Sequence, residues 1–186
     1  EKETDRASLK EFETTSGNRC TVVAYESEDN LVFGQETPGR VSSEYYVSLK
    51  DINGDIPQIW MAQKSLNTEE NFCMQPLTSS ITVNIVNAPQ SFQNISFSFA
   101  GMTDALYPAV ARAEALNEVK VKTLVFTKAE AGNTKGVFPM CQPDKAWQLP
   151  CQLEFDDVTL KNTLDIAEGI RAGYTLEFNL DFSKYE

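Results

Sequence analysis

The stretch Gly173-Tyr174-Thr175-Leu176-Glu177-Phe178-Asn179-Leu180-Asp181-Phe182 constrains the fold more than any other part of the chain. Tyr174, Leu176, Phe178, Leu180 and Phe182 occupy every second position, with Thr175, Glu177, Asn179 and Asp181 between them. A β-strand sends successive side chains to opposite faces, so this run puts five large apolar groups on one side. A helical period of 3.6 residues would scatter the same five around a cylinder. Such a strand needs an apolar layer to cover it and strand neighbours beside it. Phe178 is expected in the core, where truncation to Ala would cost about 3–5 kcal/mol.

Candidate neighbours recur along the whole chain. Residues 20–25 and 31–33 are short apolar runs joined by a polar, Asp- and Asn-containing turn, which reads as a hairpin. Ile81, Val83 and Ile85 alternate with polar residues, as do Ile95, Phe97 and Phe99, and the two runs read as a second hairpin. Further strand candidates fall at 43–49, 59–62, 119–126, 137–141, 151–155, 158–160 and 164–166. Residues 109–116 have helical propensity but follow Pro108, which allows a turn or two in a crossover. Ten or more short strands with almost no helix predict an all-β protein of antiparallel β-sandwich type. The 186 residues make either one large β domain or two small ones. Pro76-Leu77-Thr78-Ser79-Ser80 is the expected boundary, dividing an N-terminal β domain, 1–77, from a C-terminal β-sandwich, 78–186.

Composition excludes several function classes. The 27 acidic residues outweigh 16 basic ones, for a net charge of −11, and phosphate backbones need clustered Lys and Arg. Nucleic acid is therefore not expected as a partner. No run of eighteen apolar residues is present, so no segment reads as a transmembrane helix. Histidine is absent, which removes Ser-His-Asp and Cys-His nucleophile systems and most zinc sites. Four cysteines, Cys20, Cys73, Cys141 and Cys151, contain no C-x-x-C pair, so zinc ribbons and iron–sulfur sites are not expected. An even count in an exported protein reads as two disulfides; four small buried side chains in a cytosolic protein is the other reading. Pairing cannot be read from sequence, although the ten-residue separation of Cys141 and Cys151 suits a loop staple, leaving Cys20 with Cys73. The chain starts at Glu1 rather than Met, which reads as a trimmed start, and any signal peptide or lipid-attachment Cys would have lain upstream.

Few residue patterns carry chemistry. Asp51-Ile52-Asn53-Gly54-Asp55 resembles the start of a calcium loop, but its twelfth position is Ala62 rather than Glu. A tight turn using Asn and Gly for positive φ is the expected alternative. Asp156 and Asp157 are adjacent, so on a strand they point to opposite sides and cannot act as an acid–base pair. Trp60 and Trp147, with Tyr45, Tyr46 and Tyr107, could line a sugar-binding face, although aromatics in small β domains usually fill the core. Asn94-Ile95-Ser96 has the form of a glycosylation sequon on an expected strand. No phosphate loop, nucleophile elbow or metal cluster is evident, and neither enzymatic activity, a cofactor nor a metal is expected.

The segments ITVNIVN (81–87), ISFSFAGMTDAL (95–106) and IRAGYTLEFNLDF (170–182) resemble the C-terminal β domain of Bacteroidales fimbrillin-like surface proteins, particularly fimbrial accessory and anchor subunits. TVVAYESEDNLV (21–32) and Ile59-Trp60-Met61-Ala62 resemble parts of the N-terminal domain of that family. The resemblance implies two transthyretin-like Greek-key sandwiches, a lipoprotein route to the outer membrane, and a non-enzymatic role in fimbrial assembly or adhesion. Its partners would be other surface or pilus subunits, or a host glycan or protein. A first domain of about 77 residues is short for that family's full sandwich, and four cysteines are not a defining feature of it. A carbohydrate-binding module using Trp60 or Trp147 and a phage tail or baseplate protein are the alternatives.

Overall fold

The computed structural model describes residues 10–11, 19–36, 42–65, 73–116, 120–155 and 157–184. The polar stretch 4–13, whose sequence reads as a lead-in with a first strand or a short helical turn, falls outside these apart from residues 10 and 11. Fifteen strands follow in order: β1 (Lys10–Glu11), β2 (Arg19–Tyr25), β3 (Leu31–Gln35), β4 (Tyr45–Leu49), β5 (Ile59–Ser65), β6 (Gln75–Pro76), β7 (Ser79–Val86) and β8 (Phe92–Met102). After these come β9 (Ala105–Tyr107), β10 (Arg112–Glu114), β11 (Lys120–Thr127), β12 (Thr134–Val137), β13 (Trp147–Phe155), β14 (Val158–Ile166) and β15 (Thr175–Asp181). The described residues hold no α-helix, only short 3₁₀ turns, so the protein is all-β.

The strands form four sheets stacked as two sandwiches. In the first, β1-β2-β5-β6 faces β10-β9-β4-β3 across a core of Tyr25, Leu31, Val47, Ile59, Leu106 and Phe138. In the second, β11-β8-β13-β14 faces β12-β7-β15 across Ile81, Val83, Ile95, Phe97, Phe126 and Leu149. The expected boundary at 77/78 does not partition these layers. β9 pairs with β4, and Leu106 and Phe138 fill the first core, although all three lie beyond residue 78. Leu77, Thr78 and Ser79 are buried rather than looped out, and the Thr78 hydroxyl accepts the Ile59 N–H at 3.0 Å. The junction is a packed seam, not a linker.

Both expected hairpins are instead arches between layers. β2 pairs with β5 and β3 with β4, while β7 pairs with β12 and β15, and β8 with β11 and β13. The alternation of each run is as read, but alternation fixes which face is buried and not which strand lies alongside. The runs at 158–160 and 164–166 are one strand, β14, in antiparallel register with β13 from Trp147↔Ile166 to Phe155↔Val158. Asp157 sits exposed in the turn between them, and Asp156 lies outside the described residues. Residues 109–116 give only a 3₁₀ turn, Pro108–Val110, before β10, since pairing with β9 outweighs helical propensity.

The closing strand keeps its alternation and departs from expectation in its pairing. β15 runs parallel to β7, from Thr175↔Ser80 to Asp181↔Val86, where an antiparallel neighbour was expected. Phe178 stacks on Phe97 with centroids 5.1 Å apart and planes 14° apart, yet Leu176, Phe178 and Leu180 are only half-buried. Tyr174 is 58% exposed. The half-burial lowers the expected cost of Phe178→Ala to about 2 kcal/mol, below that of a fully enclosed Phe. Chemical denaturation of the variant measures it, and a loss above about 4 kcal/mol would contradict the half-open site.

Candidate docking edge

In a parallel ladder, alternate residues direct both backbone groups to the same neighbour. Ser80 N–H donates to the Tyr174 carbonyl at 2.9 Å, and Thr175 lies opposite Ser80 without a register shift along the strand. Leu176, Phe178 and Leu180 therefore spend their backbone groups on β7. Those of Thr175, Glu177 and Asn179 point to the other side, where the described residues supply no strand.

The apolar layers show the same gap. The β11-β8-β13-β14 sheet has four strands and the sheet opposite has three. Register with buried Leu149 and Leu153 sets Leu164 and Leu160 on the inward face of β14, and Ile166 lies opposite Trp147. All three are half-buried, packed against the second core without being enclosed by it. With Leu176, Phe178 and Leu180 they line a strip one strand wide. Asn162 interrupts that strip and turns its side-chain oxygen to the Thr163 N–H at 2.8 Å.

On the opposite side of this sandwich, side chains cover backbone groups at the β11 edge. At β11 the Thr123 N–H donates to the Asn53 side chain at 2.9 Å, and the Lys135 ammonium donates to the Val125 carbonyl. Lys122 reaches from the buried face of β11 to the Gly54 carbonyl at 2.8 Å. Side chains thus occupy backbone groups that would template another strand, a common protection of sheet edges. Among the described residues, none gives β15 this protection along Thr175, Glu177 and Asn179.

Burial pushes Lys122 down to about 8, against partial support from Asp51 and Asp55 and with Lys135 adding to the shift. The folded value lies below that of the unfolded chain, so the unfolded state holds more protons between pH 8 and 10.5 and stability rises with pH there. Cys151, pushed by burial from 9.0 up to about 11, and Tyr25 and Tyr107, pushed from 10.0 up to about 12, act oppositely, the thiol already within the upper part of the same window. The difference in unfolding free energy between wild type and Lys122→Met isolates the lysine. It is expected to move in favour of the wild type from pH 8 to 10.5, and a pH-independent difference would contradict this.

The sequence-derived candidates are not gathered at one place. Trp60 is half-buried on β5 beside Ala24 and Pro76, in the first sandwich. Trp147 is half-buried at the start of β13, in the second, and its indole N–H donates to the Gln142 carbonyl at 3.4 Å. Tyr107 is buried, with its hydroxyl on Glu36 at 2.7 Å, while Tyr45 and Tyr46 line an apolar cavity of about 340 Å³ in the first sandwich. Trp60 and Trp147 therefore lie in different sandwiches, while Tyr46 and Tyr107 pack ring to ring at 5.7 Å. Cys73, Cys141 and Cys151 are free thiols, and the Cys20 side chain lies outside the described ones. Cys151 lies opposite Phe97 on β8, whereas Cys141 N–H donates to the Gly101 carbonyl four residues further along. At about 3.3 Å per residue they stand roughly 13 Å apart, twice the reach of a disulfide. The expected staple is not formed, and the cysteines lend no support to an oxidising compartment.

Residues 51–55 form a tight turn, though not through positive φ at Asn53 or Gly54. The Asp51 carboxylate accepts the Asn53 N–H at 2.9 Å, and Asn30 donates to the Asp51 and Asp55 carbonyls. Asn94 spends its amide on Glu154 at 2.8 Å, between β8 and β13. The docking edge itself went unread because sequence pattern does not say which strand is last in its sheet. A signal lay in β14, whose inward apolar positions are broken by Asn162.

No family model matches the chain, and no curated protein matches it in sequence. Among solved structures it is similar to a Bacteroides ovatus protein assigned to cell adhesion, at 12% identity and a TM-score of 0.49, over 92% of this chain and 65% of that one. A Bacteroides thetaiotaomicron protein with the same assignment gives 13% and 0.48, over 91% and 68%. A fimbrial assembly protein of Parabacteroides distasonis gives 10% and 0.41, over 88% and 66%. The chain thus spans about two thirds of the length of these proteins. Every score lies below 0.5, so no shared role follows from the likeness.

Proposed function

We propose that this protein is a non-enzymatic structural or adhesion subunit of the cell surface, of fimbria-associated accessory or anchor type, joined to its neighbours by β-strand addition along β15. The carrying observation is the edge at Thr175, Glu177 and Asn179, beside which the described residues place no strand, together with a half-covered apolar strip. Strand addition draws affinity from main-chain hydrogen bonds and specificity from alternate side chains, and this edge offers both. The resemblance of 81–87, 95–106 and 170–182 to fimbrillin-like proteins agrees with it. In this reading the protein is exported and held at the outer face of the outer membrane.

Asn179→Pro tests it. Proline removes an edge N–H that β7 does not use, and edge strands tolerate that change. Antibody against the protein is expected to label intact cells that naturally make it, and high-mass assemblies containing it are expected to disappear in the variant while the monomer stays folded. Labelling only after lysis, or assemblies indifferent to Asn179→Pro, would overturn the proposal.

A further inference from the structure

Beside β15, where the described residues place no strand, one strand fits but two-fold pairing with the β15 of a second copy does not. Two-fold pairing of one β15 with another would carry the second copy's β13 and β14 with it. β14 already overhangs the position beside β15 by one strand, because among the described residues its sheet has four members against three. The second copy's β13 would then fall in the layer position that this β14 occupies. A lone strand meets no such conflict: it lies in the three-strand layer, beneath β14 and beside β15.

The outward face of β15 sets the chemistry of that strand. Thr175, Glu177, Asn179 and Asp181 are exposed there. Glu177 accepts a hydrogen bond from the Asn84 amide at 2.5 Å, on the β7 side, and among the described residues no cation pairs with it. Asp181 accepts from the Asn87 amide at 2.9 Å. A strand beside β15 would place its own outward residues next to these carboxylates, at distances where opposite charges attract and like charges repel. The net charge of −11 adds long-range attraction for a basic segment. We infer, resting on the strand-addition reading, that the occupant is a single strand of another polypeptide, with apolar residues at alternate positions and Lys or Arg on the face beside Glu177.

Two synthetic nine-residue peptides test this against the whole chain. Both alternate Val and Ile on one face; one carries Lys at every other position and the second carries Glu. Titration by fluorescence anisotropy is expected to give one-to-one binding of the Lys peptide, about five-fold or more tighter than the Glu peptide. The preference is expected to shrink at 1 M salt, where the screening length falls to about 3 Å, and to reverse for Glu177→Lys. Asn179→Pro is expected to abolish binding of both peptides. Equal binding of the two peptides, lost in Asn179→Pro, would keep the strand-addition reading and overturn the charge inference. Failure of both peptides to bind wild-type protein and Glu177→Lys alike would overturn both. Native mass spectrometry of the free protein is expected to show a monomer, and a dimer dissolved by Asn179→Pro would overturn the single-strand geometry.

Discussion

Phe97→Ala is expected to destabilise the protein by about 3–5 kcal/mol, lowering its melting temperature by roughly 6–20 °C. Phe97 is fully buried at the centre of the second core, on β8. Its ring meets Phe126 edge-on at 6.2 Å, Phe99 at 6.4 Å and Phe178 in a stack at 5.1 Å. Removing it loses the transfer energy of the ring and leaves a cavity that strands hydrogen-bonded on both sides of β8 cannot collapse to fill. It also unseats Phe178, so the damage reaches the docking strand. Thermal unfolding of the variant checks the size, and a loss below about 1 kcal/mol would mean that the two layers are not packed through this ring.

Gly101→Ala is expected to cost about 2–5 kcal/mol, from two penalties that can be separated. Gly101 has φ of +80°, a conformation L-residues adopt at a cost of about 1–2 kcal/mol. It is also the extra residue of a bulge: β11 pairs Lys120 with Met102 and Val121 with Ala100, and Gly101 falls between. A Cβ there would stand 2.2 Å from the edge of the Trp147 ring, which overpacking penalties put at about 1–3 kcal/mol more. Trp147→Leu should remove the steric part alone. In that background the added cost of Gly101→Ala is expected to fall to about 1–2 kcal/mol, and an unchanged cost would show that the indole does not rest on Gly101.

What the sequence made legible was orientation. Alternation in 173–182, 81–85 and 95–99 correctly put Phe178, Ile81, Val83, Ile95 and Phe97 on core-facing sides, and a fold of β layers followed from that. Partnership was not legible. In a sandwich, a run such as 81–85 can turn back alongside the next run or arch to the facing layer with the same residues buried. The choice is made by contacts far along the chain, here between β7 and β15, some ninety residues apart. The same limit hid the entry of β9 into the first sandwich, which depends on Leu106 finding Val47. The cysteines misled for a related reason: proximity in sequence at Cys141 and Cys151 is undone once both segments are laid along β8. The docking edge was out of reach because it is defined by a missing neighbour, and its apolar residues read like those of any interior strand.

Residue-resolved amide exchange along β15 tests the open edge most directly. The N–H groups of Leu176, Phe178 and Leu180, bonded to β7, are expected to be protected, while those of Thr175, Glu177 and Asn179 exchange close to the rate of exposed amides. Addition of the Lys-bearing peptide is expected to protect the second set and leave the first unchanged. Uniform protection of all six in the free protein would contradict the account, because it would mean that the edge of β15 is already occupied.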